Sequence, residues 1–392
     1  MSDQRWSCHS CGHCCRTLVI HLSEHDRLEI DRQAWEDRLG NVPYVRAGRG
    51  FVLNKRPDGA CVFLTADNRC RIHAEYGEHA KPLACRVFPF SVRPVAGGWQ
   101  ASLRFDCPSV AASKGAALDG ARAWLSALVA RLDHNPPLDE DAVDLKRGVR
   151  ATATELNALS GTLTSWLTRD DVPMLDKLIA CARITAVLAE ANLDKVRDDR
   201  FAELIDLLFG SAPTQFANVP SRPTDRQRGM LRQLVFAHAE HVSLAQLRSG
   251  VGGRLRTRCH QLVSGLRFLR GRGAVPRLPD VTGGVAFDAV EAVASCSLVH
   301  TGVEDLLTRY VAGRLSSGSA FGHGYYRWSV FNGLTALWLS LAAAGWLARY
   351  HAASASRSSI ELGDFASALG IVDRAATRLP ALGVVSETVR AT

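Results

Sequence analysis

Eight of the eleven cysteines in this chain fall before residue 108: Cys8, Cys11, Cys14, Cys15, Cys61, Cys70, Cys85 and Cys107. Only Cys181, Cys259 and Cys296 remain for the following 285 residues. Thiols used for packing would be spread along the chain. Clustered thiols in a reducing compartment read as metal ligands or redox groups rather than structural disulfides. The opening string Cys8-His9-Ser10-Cys11-Gly12-His13-Cys14-Cys15 sets successive two-residue gaps, which let sulfurs turn toward one centre. Gly12 permits the tight backbone this requires, since glycine accepts positive φ at little steric cost.

The spacing follows the bacterial ferredoxin run more closely than a zinc finger. Its usual fourth ligand is missing, however, because Leu18 stands there. Neighbouring side chains diverge, so the adjacent pair Cys14-Cys15 suits a polynuclear centre, or two nearby centres, better than one tetrahedral ion. Eight thiolates suffice for two sites of four or for one cluster with spare ligands, and all eight are candidate ligands. His9, His13 and His73 could substitute, although solvent exposure is the ordinary state of each. Arg86 would lower thiol pKa and offset cluster charge. Val87, Phe88 and Phe90 would exclude water from the site. An iron–sulfur cluster is therefore expected ahead of zinc.

These residues resemble the YkgJ-type cysteine cluster family, whose signature is CxxCxxCC followed by separate single cysteines. Here the signature is Cys8, Cys11, Cys14 and Cys15, then Cys61, Cys70, the Pro82 to Pro89 block around Cys85, and Cys107-Pro108. The resemblance covers residues 6–112 and implies a zinc- or iron-chelating domain. In layout the chain is also similar to the flagellin lysine N-methylases, with an N-terminal cysteine cluster and a long helical C-terminal part. That similarity implies an iron–sulfur cluster and methyl transfer from S-adenosylmethionine to lysines of a protein substrate such as flagellin. In the C-terminal part it is diffuse, at Glu304 to Leu315 and the apolar segment after Tyr325.

Other enzyme signatures do not accompany it. A Rossmann turn would be glycine-rich and follow a strand; Gly48-Arg49-Gly50 lacks that context. A common radical S-adenosylmethionine loop has gaps of three and two, whereas Cys8, Cys11 and Cys14 have two and two. No GxSxG nucleophile elbow and no repeat of 20 to 50 residues occurs. Catalytic residues and a cofactor pocket cannot be named from these residues.

After residue 112 the pattern turns helical. Leu125, Leu128, Val129 and Leu132 share a face, and Asn135-Pro136-Pro137 ends that helix. Leu145, Val149, Thr152, Leu156, Leu159, Leu163 and Trp166 alternate gaps of four and three, which predicts one helix. Met174, Leu178, Cys181 and Leu188 form another stripe, with Cys181 in the core. Phe201 to Phe209 is a short apolar helix. Helical patterns run from Gln227 to Leu269, with Gly250 to Gly253 as a break. Arg272 to Gly284 reads as a linker, and Cys259 and Cys296 as packing residues. The expected fold is mainly α: a small irregular cysteine-rich domain over residues 1–112, with short strands, packed on a helical body over 113–392. Sub-boundaries are expected near 220 and 278.

The net charge of +8 is uneven: Arg222 to Arg277 holds twelve arginines, no lysine and two acids, carrying +10 alone. Such asymmetry invites an anionic partner, but no nucleic-acid module accompanies it. The segment reads as a solvated helical surface, and nucleic acid is not an expected partner. Val330 to Ala348 is mostly apolar but diluted by Asn332, Thr335 and Ser340, which predicts a buried helix rather than a membrane span. Hydrophobic residues at 47% and charged residues at 22% give the balance of a globular protein. No apolar segment precedes Cys8, so no secretory signal is expected and a cytoplasmic location is.

Overall fold

The computed structural model describes residues 4–48, 50–95, 98–130, 143–215, 223–241, 243–278, 280–294 and 301–376. The fold is mainly α, with a small strand-containing region at the N-terminus. The short strands of that region are local. His21–Leu22, Gly50–Leu53 and Tyr44–Ala47 form a three-stranded antiparallel sheet with Gly50–Leu53 in the centre. Phe90–Val95 and Gly98–Leu103 make a hairpin with Phe90 opposite Leu103. Arg5–Trp6 pairs antiparallel with Ala116–Ala117, which ties the start of the region to its end.

Two cores result. A small one beneath the sheet gathers Ile30, Trp35, Phe63, Leu64 and Ile72, with Cys61 among them and Cys15, Cys70 and Cys85 against it. The large one draws on described residues from Val87 to Val372 and so includes the end of the cysteine-rich segment: Phe90, Leu103, Phe105, Cys107 and Val110. Val87 and Phe90 serve that core, and of the apolar trio near Cys85 only Phe88 lines the cysteine cavity.

Helix starts in the body follow side-chain caps. Thr152, Thr224 and Ser243 each form a capping box with the Glu or Gln three residues on. The Thr152 cap corrects the expected long helix from Leu145. Helix Ala153–Leu167 begins only after it, and Asp144–Lys146 and Val149–Arg150 form a hairpin turning at Gly148, whose φ is 80°. Leu145 and Val149 kept helical spacing by coincidence, because they lie on the two different strands of that hairpin, on either side of its turn. Helix Ala121–Val129 is present, whereas Leu132 and Asn135 to Pro137 lie outside the described residues. The Phe201 to Phe209 segment extends to a helix over Asp199–Gln215. Gly250 caps the helix Val251–Arg270, and Gly252 and Gly253 lie inside it. The boundary expected near 220 falls outside the described residues.

Arg272 to Gly284 does not behave as a linker. Val275, Leu278 and Val281 are buried in the main core, and Gly283 N donates to Tyr350 Oη at 2.8 Å. The apolar helix Val330–Ser354 is long and apolar enough to cross a membrane, yet 72% of its most apolar window is buried inside the body. Two of its buried polar groups have protein partners: Ser340 Oγ lies 3.3 Å from His238 Nε2, and Trp338 Nε1 donates to Thr185 Oγ1 at 2.9 Å. Of the described arginines between 222 and 277, only Arg232 is buried, paired with Glu291 at 2.6 Å. Cys181 is fully buried, as its stripe predicts. Cys259 is exposed rather than packed, because it lies on the outer face of Val251–Arg270; Cys296 lies outside the described residues.

Candidate metal centre

All eight N-terminal cysteines line one cavity of about 150 Å³. Short helical turns deliver most of them. Cys14 and Cys15 open the turn His13–Thr17, Cys85 lies in Leu83–Val87, and Cys70 and Cys107 cap the helices Arg71–Tyr76 and Pro108–Ala111. Gly12 stands at the sharpest corner, with φ 70°. Cys61 is held against the first motif by its backbone, its N–H donating to Cys15 O at 2.9 Å. The Arg5–Trp6 strand brings Cys8 and Cys11 to the side of the cavity that Cys107 occupies.

Cys14, Cys61, Cys70 and Cys85 sense one another electrostatically, while Cys107 faces Cys11. A hydrogen bond to the Cys15 side chain, followed by burial, pushes the Cys14 thiol up. Burial pushes Cys61 up to about 11, and raises Cys85 and Cys107 as well. Backbone N–H groups oppose these shifts, from Phe63 toward Cys61 and from Ser109 and Val110 toward Cys107. The Trp6 indole N–H is buried without a conventional acceptor, and it points at Cys107, where it favours the thiolate.

Two lysines supply positive charge. Lys55 Nζ donates to the carbonyls of Cys15 and Arg16 at 2.9 and 3.1 Å. Burial lowers its pKa, against the raising effect of Cys61, Cys15, Cys14 and Cys85. Lys81 favours the thiolates of Cys14 and Cys85. Arg86 also lines the cavity. The donor set fits a thiophilic metal: sulfurs on every wall, N–H donors aimed at sulfur and cations that offset thiolate charge. Loading such a site would release protons, since the buried thiols favour their neutral form. Among the described residues, no three His, Cys, Asp or Glu side chains already converge to hold a single ion.

The histidines take separate places. His9 and His73 are exposed on the cavity rim, with His9 Nδ1 3.1 Å from Ser109 Oγ. His13 turns toward the helical body instead: burial and then Arg374 lower its pKa, and Asp106 and Asp280 oppose them. That contact belongs to a band of charge behind the cavity. Arg104 grips Asp106 through two bonds of 3.2 and 2.5 Å. Phe105 N donates to buried Asp373 at 2.7 Å, and Arg374 pairs with Asp280 at 3.0 Å. Arg309 reaches across to the carbonyls of Val110 and Ala111 at 3.2 and 2.8 Å. The segment bearing Cys107 is thereby fixed to the body.

Lys55, Lys81 and Trp6 were not singled out from the sequence. A single lysine or tryptophan carries no spacing signal, and only the fold brings these to the sulfurs. The band of Asp106, Asp280, Asp373 and Arg374 was missed for the same reason.

With eight cysteines around one cavity, the N-terminal segment defines a cysteine-rich metal-binding domain. Residues 7–108 match the CxxCxxCC family model, described as "Putative zinc- or iron-chelating domain". The chain is also similar to "Uncharacterized protein MJ0939" of Methanocaldococcus jannaschii, 36% identical over 90 residues. That stretch is 22% of this chain and 29% of the relative's length. No solved structure matches the chain.

Proposed function

We propose that the cavity holds an iron–sulfur centre ligated from Cys8, Cys11, Cys14, Cys15, Cys61, Cys70, Cys85 and Cys107. We further propose that the protein transfers methyl groups from S-adenosylmethionine to lysines of a protein such as flagellin. The observation that carries the first part is the cavity itself. At about 150 Å³ it has several times the roughly 30 Å³ share of one water. Eight sulfurs set around such a space suit a polynuclear centre better than one zinc ion, which four would close around. The methyl-transfer part rests on the layout of a cysteine domain on a long helical body, in which the flagellin lysine N-methylases are similar. Free thiols suit a reducing, cytoplasmic setting.

A bound cluster would supply one-electron chemistry at a potential set by the sulfur environment. Within that arrangement Lys55 and Lys81 offset negative charge, and Trp6 donates to the Cys107 sulfur. Phe88 keeps one wall apolar. The pairing of Phe105 with Asp373 holds the Cys107 wall in place.

Anaerobic purification with absorption, iron, zinc and sulfide analysis tests the centre. A broad band near ~400 nm with matched iron and sulfide is expected, and Cys11→Ser or Cys14→Ser should bleach it. A colourless protein with stoichiometric zinc refutes the cluster. Perturbation of that spectrum by S-adenosylmethionine, and methylated lysines on a co-expressed flagellin, test the reaction; absence of both refutes it.

One observation favours a second reading, a non-catalytic zinc- or iron-stapled interaction protein. Cys61 belongs to the small core, and Cys15, Cys70 and Cys85 pack against it, so metal binding there would contribute folding energy whether or not chemistry follows.

A further inference from the structure

The helix Val251–Arg270 carries six of the fourteen large apolar side chains exposed among the described residues: Val251, Leu255, Leu262, Val263, Leu266 and Leu269. Their exposures run from 48% to 82%, and Leu262, Leu266 and Leu269 also form one wall of a shallow open groove against Gln233 and Phe236. The buried side chains of the helix, Ser264 and Phe268, lie on its opposite side. At about 100° per residue, five of the six fall within roughly 60° of one another, and Val263 stands just beside them. The stripe spans about 27 Å at 1.5 Å per residue.

Arginines border it on both sides. Arg254 and Arg258 follow one edge, and Arg256, Arg267 and Arg270 the other; all five are exposed. No Asp or Glu occurs between residues 251 and 270, and none of the five is ion-paired among the described residues. A solvated helix face would mix the two signs, and a core-facing stripe would be covered. This stripe is neither.

We propose that Val251–Arg270 docks the protein flat on an anionic lipid bilayer, its leucines entering the interface and both arginine rows meeting lipid phosphates. Charge complementarity and shape select this occupant. A plane contacts both arginine rows at once, whereas a single partner helix meets one. A second copy would set five arginines against five. Apolar residues flanked by basic ones along a surface-lying helix are the composition that interfacial binding requires. The inference does not depend on the metal or on methyl transfer.

Sedimentation of the full metal-loaded chain with vesicles of phosphatidylcholine and phosphatidylglycerol, and with phosphatidylcholine alone, tests it. Binding is expected on the anionic vesicles only. It should weaken as salt rises from about 0.1 M to about 1 M, where the Debye length shrinks from about 10 Å to about 3 Å. Arg256→Gln with Arg267→Gln and Arg270→Gln should weaken binding about a hundredfold, at roughly fivefold per arginine. Leu255→Asp with Leu262→Asp should weaken it tenfold or more. Both sites are exposed, so unchanged circular dichroism and metal content are expected for that variant. A Leu262→Trp reporter should shift its emission to the blue on anionic vesicles. No binding to those vesicles, equal binding of the Asp variant, or preferential stripe-dependent capture of an acidic helical peptide each overturns the proposal.

Discussion

Gly12→Ala probes how tightly the backbone of the cysteine motif is specified. Gly12 has φ 70° and ψ 0°, where an L-residue costs about 1–2 kcal/mol. A Cβ there would lie 2.8 Å from Asn68 Oδ1 and 3.2 Å from Asn68 Cβ. Asn68 cannot simply swing aside, because its Oδ1 accepts from Arg16 Nη2 at 2.8 Å. Losing that bond costs on the order of 1 kcal/mol. Together the substitution should destabilise the protein by about 2–3 kcal/mol. Anaerobic urea unfolding gives the energy, and the metal-to-protein ratio reports whether the shift reaches Cys11 and Cys14. Asn68 itself has φ 61°, so Asn68→Gly fits its backbone and removes the clash. In the Gly12→Ala background it should leave stability close to that of Gly12→Ala alone, because the Arg16 bond is absent in both and the φ cost remains. A Gly12→Ala protein within about 0.5 kcal/mol of wild type and fully metallated would refute this account.

Three further outcomes follow from features of the body. Glu155 is fully buried and held by Arg197 at 2.7 and 3.0 Å, so Arg197→Ala should cost about 3 kcal/mol in urea unfolding, and Arg197→Ala with Glu155→Gln less. Burial lowers His238 from 6.5 to about 4; a group whose folded pKa is depressed stabilises above its unfolded pKa. The contribution, on the order of 3 kcal/mol, is complete above pH 6.5 and is lost as pH falls toward 4. Subtracting the profile of His238→Leu from that of wild type should isolate this slope, and parallel profiles would contradict it. Exposed Cys259 should react rapidly with a maleimide in the native protein while buried Cys181 does not, and Cys259→Ser should abolish that label; mass spectrometry of the labelled peptides decides.

The clustering of the eight cysteines was legible because their spacing is local and rare, and all eight line one cavity. The charges around them were not legible. Lys55 becomes relevant through its bridge to Cys61 and its bonds to the Cys15 and Arg16 carbonyls, and Asp373 meets Phe105 across 268 residues. The misread hairpin at Leu145 had a local remedy: Thr152 followed by Glu155 is a capping box, and it marks where the helix begins. Arg272 to Gly284 had none. Its glycines and prolines are linker-like, and only burial of Val275, Leu278 and Val281 against distant helices makes it part of the core. The arginine-rich segment was read correctly as a surface, but net charge conceals the leucine stripe, which shows only once helix phase and core direction are known.

The pairing of Arg5–Trp6 with Ala116–Ala117 has a consequence for the order of assembly. Translation proceeds at roughly 5–20 residues per second, so Cys107 follows Cys8 by about 5–20 s. Asp373, which fixes Phe105, lies 268 residues beyond it and follows by a further interval of roughly a quarter to most of a minute. A nascent chain therefore presents Cys8, Cys11, Cys14 and Cys15 long before their far wall exists. Metal captured early would be held by half a site, open to exchange. The full set of eight sulfurs exists only once Cys107 has been made, and the contact that fixes its segment to the body only once Asp373 has.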